Sequence, residues 1–132
     1  MLVLVRVILV LFLTVAPKVG QNSTEWIAVS DPIIFIGKLA EVPDLSVKCG
    51  DTAIAVVFRF FVVEIIEGRY PHPEILITIP CPDQNDEGIF VADNMYRVEA
   101  TATYADADFY VLEDEYAASD LPRYWGLNVE PL

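Results

Sequence analysis

The stretch Thr52–Ile66, "TAIAVVFRFFVVEII", is made almost wholly of β-branched, aromatic and small apolar residues. β-Branched and aromatic side chains lose rotamer freedom in a helix and fit a pleated surface, so the stretch predicts a strand. Its two charges, Arg59 and Glu64, have opposite parity. In a regular strand they would point to opposite faces, which a sheet with one wet face does not allow. A bulge, or a strand shared between two sheet faces, reconciles them. The segment "EGRYPHPE" (Glu67–Glu74) carries two prolines and a glycine, which forbid continued ladder pairing, and "ILITIP" (Ile75–Pro80) returns. A buried hairpin is expected. The apolar run is too short to cross a bilayer, which takes roughly 20 apolar residues.

The rest of the chain reads the same way. "DPIIFIGKLAEV" (Asp31–Val42) opens with an Asp-Pro break and is β-rich, and "EVPDLSVKCGD" (Glu41–Asp51) is a turn-rich connection. "CPDQNDEG" (Cys81–Gly88) is an acidic turn. In "MYRVEATATY" (Met95–Tyr104), Tyr96, Val98, Ala100, Ala102 and Tyr104 alternate with Arg97, Glu99, Thr101 and Thr103, which predicts an antiparallel strand with one wet face. "FYVLEDEY" predicts a further short strand, and "LPRYWGLNVEPL" a last one with Trp125, Leu127 and Val129 on one face. There is no amphipathic helix, repeat or low-complexity tract after residue 20. The expected fold is all-β, a small OB-like barrel or sandwich of about five to seven antiparallel strands with little helix.

Residues 1–20 have the form of an export signal: Arg6 near the start, an apolar run from Val7 to Val15, then small residues. An uncleaved anchor is the alternative. Residues 21–30 are a lead-in with an Asn22-Ser23-Thr24 glycosylation sequon, and residues 31–132 form a single β-domain. Loss of Arg6 and Lys18 from the 8 basic residues leaves 6 against 20 acidic, a net of −14. That charge excludes a nucleic-acid backbone as partner and suits another, basic protein. The expected location is secreted, periplasmic or at the cell surface. Cys49 and Cys81 are the only cysteines, and an even count in an exported chain favours a disulfide. Two separate buried thiols are the rival reading. A zinc site helped by His72 lacks the usual close cysteine pairs.

Three pieces together, "IIFIGKLAEV", "VVFRFFVVEIIEGRYPHPEILITIPCP" and "MYRVEATATY" preceded by "IFVADN", resemble the OB-fold domain of the netrin-like group, which includes the tissue inhibitors of metalloproteinases. The resemblance covers about residues 31–105. It implies the scaffold alone, because the inhibitors chelate a protease zinc with an N-terminal cysteine and this chain has none before Cys49. The tail "LPRYWGLNVEPL" is similar to that of small exported bacterial proteins, which implies no activity.

Catalytic chemistry finds little to stand on. The one histidine, His72, lies between two prolines, and no elbow motif marks a serine such as Ser46 to pair with it. Glu64, in an apolar strand, would need Arg59 or Arg97 as partner if buried. No cofactor motif is present. "DQNDEG" places Asp83, Asn85 and Glu87 like the first half of a calcium loop, but Asn94 stands where the loop needs a glutamate. A second acidic cluster comprises Asp106, Asp108, Glu113, Asp114 and Glu115. The sequence therefore points to a non-catalytic binding or inhibitory module. Its expected surface is Tyr104, Phe109, Tyr110, Tyr116, Tyr124 and Trp125, where aromatic and acidic residues mix. The alternatives are an envelope-associated structural protein held by its N-terminus and a weak calcium-binding domain.

Overall fold

The structure, a computed structural model, describes residues 32–132. The export signal (1–20), the lead-in (21–30) and the Asn22 sequon lie outside the described residues. Six strands appear: β1 (Ile33–Leu39), β2 (Ile54–Glu67), β3 (Glu74–Pro80), β4 (Met95–Thr101), β5 (Val111–Glu113) and β6 (Arg123–Pro131). Two 3₁₀ turns, Pro82–Gln84 and Ala107–Phe109, are the only helical elements among the described residues.

The sheet runs β1-β4-β6-β3-β2-β5, and β1 also pairs with β2. That extra pairing closes β1, β2, β3, β6 and β4 into a five-stranded barrel, with β5 added outside it along β2. The expected OB-like barrel is therefore present. The expectation of antiparallel strands needs correction, because β3 pairs with β6 and β2 with β5 in parallel. The cause lies in the connections. Parallel neighbours need a long crossover: residues 81–122, which include β4 and β5, join β3 to β6, and residues 68–110 join β2 to β5.

The barrel interior is filled by Phe35, Leu39, Val56, Phe58, Phe60, Ile75, Ile77, Tyr96 and Val98, each 2 % exposed or less. Phe60 is its centre, edge-on to Phe35 at 6.2 Å and to Tyr96 at 6.0 Å. A Cβ at Gly37 would lie 2.6 Å from a Phe35 ring carbon and 3.2 Å from one of Phe60, so only glycine lets these rings meet under β1. The Tyr96 hydroxyl donates to Ile89 O at 2.6 Å and accepts from Val91 N–H at 2.7 Å. One core phenol thus fastens the loop before β4.

The parity of Arg59 and Glu64 is explained by bulges. Against β1, Gly37 pairs with Val62 while Ile36 pairs with Glu64, leaving Val63 extra; Ile66 is skipped in the same way. After the first bulge the inward position moves from Val62 to Ile65, both packed on the core. Glu64 thereby joins Arg59 on the outward face, and it is exposed. The hairpin is buried only in its first half. Ile54–Phe58 are buried on both faces, whereas Phe61, Val63 and Ile66 are 37 %, 56 % and 50 % exposed.

A third bulge corrects the reading of the last strand. Ala100 pairs with Gly126 and Glu99 with Asn128, so Leu127 is extra. Tyr124 and Val129 pack on the core, and Leu127 is 47 % exposed. Trp125, Leu127 and Val129 do not share a face.

Cys49 and Cys81 form a disulfide with a Cα–Cα separation of 5.5 Å. It ties the β1–β2 connection to the turn after β3. Cys81 sits in the left-handed region at φ 43°, and its N–H donates to Ile54 O at 2.8 Å.

Candidate interaction surface

The crossover 102–122 is built from local turns because its side chains offer more turn bonds than ladder bonds. Thr101 Oγ1 donates to Thr103 O at 3.1 Å as β4 ends. The turn at Ala107–Phe109 is closed by Ala107 N–H to Tyr104 O (3.2 Å) and Phe109 N–H to Asp106 O (3.0 Å). Asp114 Oδ1 accepts from Tyr116 N–H at 2.8 Å, and its other oxygen takes Arg123 Nε–H at 2.9 Å. The Arg123 guanidinium also donates to the carbonyls of Tyr116, Ser119 and Leu121. One half-buried cation therefore fixes the whole return of the chain into β6, a geometry that suits arginine and not lysine.

These turns stack aromatic rings on the outside of the barrel. Tyr104 lies on Trp125 with centroids 4.9 Å apart and planes 23° from parallel. Tyr110 is 6.4 Å from Tyr104 and 5.9 Å from Trp125, and Phe109 meets Tyr110 edge-on at 5.5 Å. Phe109 is 73 % exposed at the outer end of this ladder. The Tyr104 hydroxyl is held above its ordinary pKa, first by burial, then by Tyr110 and the negative Asp106.

The other two expected surface residues lie elsewhere. Tyr116 donates its hydroxyl proton to the Glu41 carboxylate, and its ring is 5.9 Å from the Arg59 guanidinium. Arg59 also lies over Phe61 at 5.4 Å and pairs with Glu74 at 3.3 Å. The Glu41 carboxylate is 3.8 Å from Arg59 Nε, close enough for attraction and too far for a hydrogen bond. Tyr124 turns inward, edge-on to Tyr70 at 5.7 Å. The surface expected from sequence thus divides, and Tyr104, Phe109, Tyr110 and Trp125 stay together because Trp125, between core-facing Tyr124 and Gly126, points outward.

Tyr70 and Tyr116 carry a pH dependence. Burial first, then the charges of Tyr124 and Glu74, push the Tyr70 hydroxyl up to about 12. Burial first, then the Glu41 hydrogen bond and charge, push Tyr116 up as well, against the opposing Arg59. A tyrosine whose folded pKa exceeds its unfolded value near 10 keeps its proton longer in the folded state. Its contribution is complete below pH 10 and is lost as pH rises towards 12. The thermal midpoint should therefore fall between pH 10 and 12, and Tyr70→Phe should flatten part of that fall.

The remaining candidates are also placed. His72 is exposed in the β2–β3 loop, 5.5 Å edge-on from Tyr70. Cys81 is in the disulfide and has no thiolate to offer. Asp83 Oδ1 accepts from Cys49 N–H at 3.2 Å, and the Asn85 amide donates to Pro82 O at 3.1 Å, so both work as turn braces beside exposed Glu87. Among the described residues no three His, Cys, Asp or Glu side chains converge as a metal set. Sequence reasoning missed Arg59 as a hub and Val111 and Leu112 as exposed neighbours of the ladder. Alternation around Arg59 held no sign of Glu41, Glu74 and Tyr116, which approach from other segments of the chain. The chain matches no protein-family model, no curated protein and no solved structure.

Proposed function

We propose that this is an exported, disulfide-closed, acidic β-barrel that acts as a non-catalytic binding or inhibitory module for another protein, on the scaffold that the netrin-like resemblance implies. The observation that carries the reading is the aromatic ladder Tyr104–Trp125–Tyr110–Phe109 on the outer face. Tyrosine, tryptophan and phenylalanine concentrate at contact surfaces because they bury large areas with little loss of rotamer freedom. Val111 and Leu112, two and three positions beyond Phe109, are 52 % and 50 % exposed and add apolar side chains to this part of the surface. The disulfide is compatible with an oxidising compartment. The acidic charge selects a basic partner.

Tagged protein applied to extracellular or envelope extract of its source tests this. It should capture a saturable partner that Phe109→Asp no longer captures. Because Phe109 is largely exposed, that variant should fold normally. Finding no saturable partner would remove the reading, and equal capture by the variant would remove this surface from it.

A further inference from the structure

We propose that the open edge of β5 takes up an extended, positively charged segment of a partner protein by strand addition. The inference rests on the binding-module reading and names how the partner is held. Every barrel strand has a neighbour on both sides, whereas β5 pairs only with β2. Val111 N–H donates to Ala53 O at 2.8 Å. Successive residues of a parallel pair direct their backbone groups to opposite edges, so the N–H and C=O of Leu112 point away from β2. All three β5 residues are exposed, which leaves that edge open to solvent.

An open strand edge with apolar side chains is a template for another strand. Phe109, Val111 and Leu112 supply the apolar contacts, and the ladder braces Phe109 from behind. The charges decide which strand fits. Asp106, Asp108, Glu113, Asp114 and Glu115 flank β5 in sequence. Asp114 is paired with Arg123 and Glu115 accepts from Asp44 N–H, which leaves exposed Asp106, Asp108 and Glu113. Arg123 is the only basic residue after Arg97. Arg123 is already spent on Asp114 and the crossover carbonyls. A second copy of this chain would set the same carboxylates against each other across the new pair. A strand that alternates lysine or arginine with apolar residues meets both the carboxylates and the apolar side chains. The three-residue edge limits the main-chain bonds, so affinity for an isolated peptide should be modest, with Kd on the order of 100 μM.

The test is a titration of isotope-labelled protein with a capped Lys-Val-Lys-Val-Lys-Val-Lys peptide, followed by amide NMR. An N-methylated version of the peptide keeps the charge and apolar surface but has no backbone donors. Amide signals of Phe109 to Glu113 should move, and the N-methylated peptide should bind at least tenfold more weakly. Leu112→Pro deletes the outward N–H and should weaken binding to a similar degree, whereas Leu112→Ala, which trims the side chain and keeps the N–H, should weaken it less. Asp108→Lys with Glu113→Lys changes exposed side chains alone and gives a second variant with the same expected loss. Equal binding of the N-methylated peptide overturns the proposal in favour of charge attraction only, and so do shifts centred away from β5. Concentration-dependent self-association through the same amides overturns it in favour of a second copy. Capture of a native partner that needs Phe109 but tolerates Leu112→Pro would sink strand addition and leave the binding-module reading standing.

Discussion

Reducing the Cys49–Cys81 bond should lower the free energy of unfolding by about 4 kcal/mol. The two cysteines are separated by 32 positions, and opening a loop of that size releases the unfolded chain from a substantial constraint. The loss in the folded state is local as well. Cys49 Sγ accepts from Ile54 N–H at 3.1 Å, Cys81 N–H reaches Ile54 O, and Asp83 braces Cys49 N–H. The bond therefore holds the first turn of β2 between two loops that have few ladder contacts of their own. Urea unfolding with and without reductant measures the effect, and a Cys49→Ser, Cys81→Ser double variant should match the reduced protein. A midpoint unchanged by reduction would mean that the two loops are held by their hydrogen bonds alone.

Replacing Phe60 by alanine should cost roughly 3 to 5 kcal/mol. Phe60 is fully buried, and its neighbours Phe35 and Tyr96 belong to strands on its own side of a closed barrel. Closure denies the walls the freedom to fall inward, so the cavity persists and its full penalty applies. Gly37, where β1 meets the first bulge of β2, also yields its side-chain space to Phe35 and Phe60. Urea unfolding should show a lower midpoint with little change in slope. Phe109→Ala, on the exposed end of the ladder, should lie within about 0.5 kcal/mol of the parent and serves as the control. A small loss at Phe60 would mean that the barrel relaxes far more than its pairing suggests.

Much of this architecture was legible because strands announce themselves by side-chain type. Thr52–Ile66 holds too many β-branched and aromatic residues for a helix, and the clash of Arg59 with Glu64 foretold a bulge. Alternation placed Tyr96, Val98 and Ala100 inside correctly. It failed in "RYWGLNV", where no local signal announces that Leu127 is skipped, and one skipped residue reverses every face beyond it. Pairing direction was equally silent in "ILITIP" and "RYWGLNV", since β3 and β6 each have one antiparallel and one parallel neighbour and no single pattern marks a mixed strand. Among the expected surface residues, Tyr104, Phe109, Tyr110 and Trp125 meet because the crossover folds back on β6. Tyr116 and Tyr124 part from them through contacts with Glu41 and Tyr70, which lie far away in sequence.

The position of β6 between β3 and β4 has a consequence for how the molecule comes into being. Until Arg123–Pro131 has been threaded between them, neither strand has its second neighbour, and the barrel is an open ribbon. Pairings such as Leu76 with Arg123 join residues far apart along the chain, and closing such loops makes folding slow, in the millisecond-to-second range. The barrel therefore cannot close until residues 123–131 are available to both strands. β6 is thus the keystone of the barrel, and the contacts that seal the core form together when it takes its place.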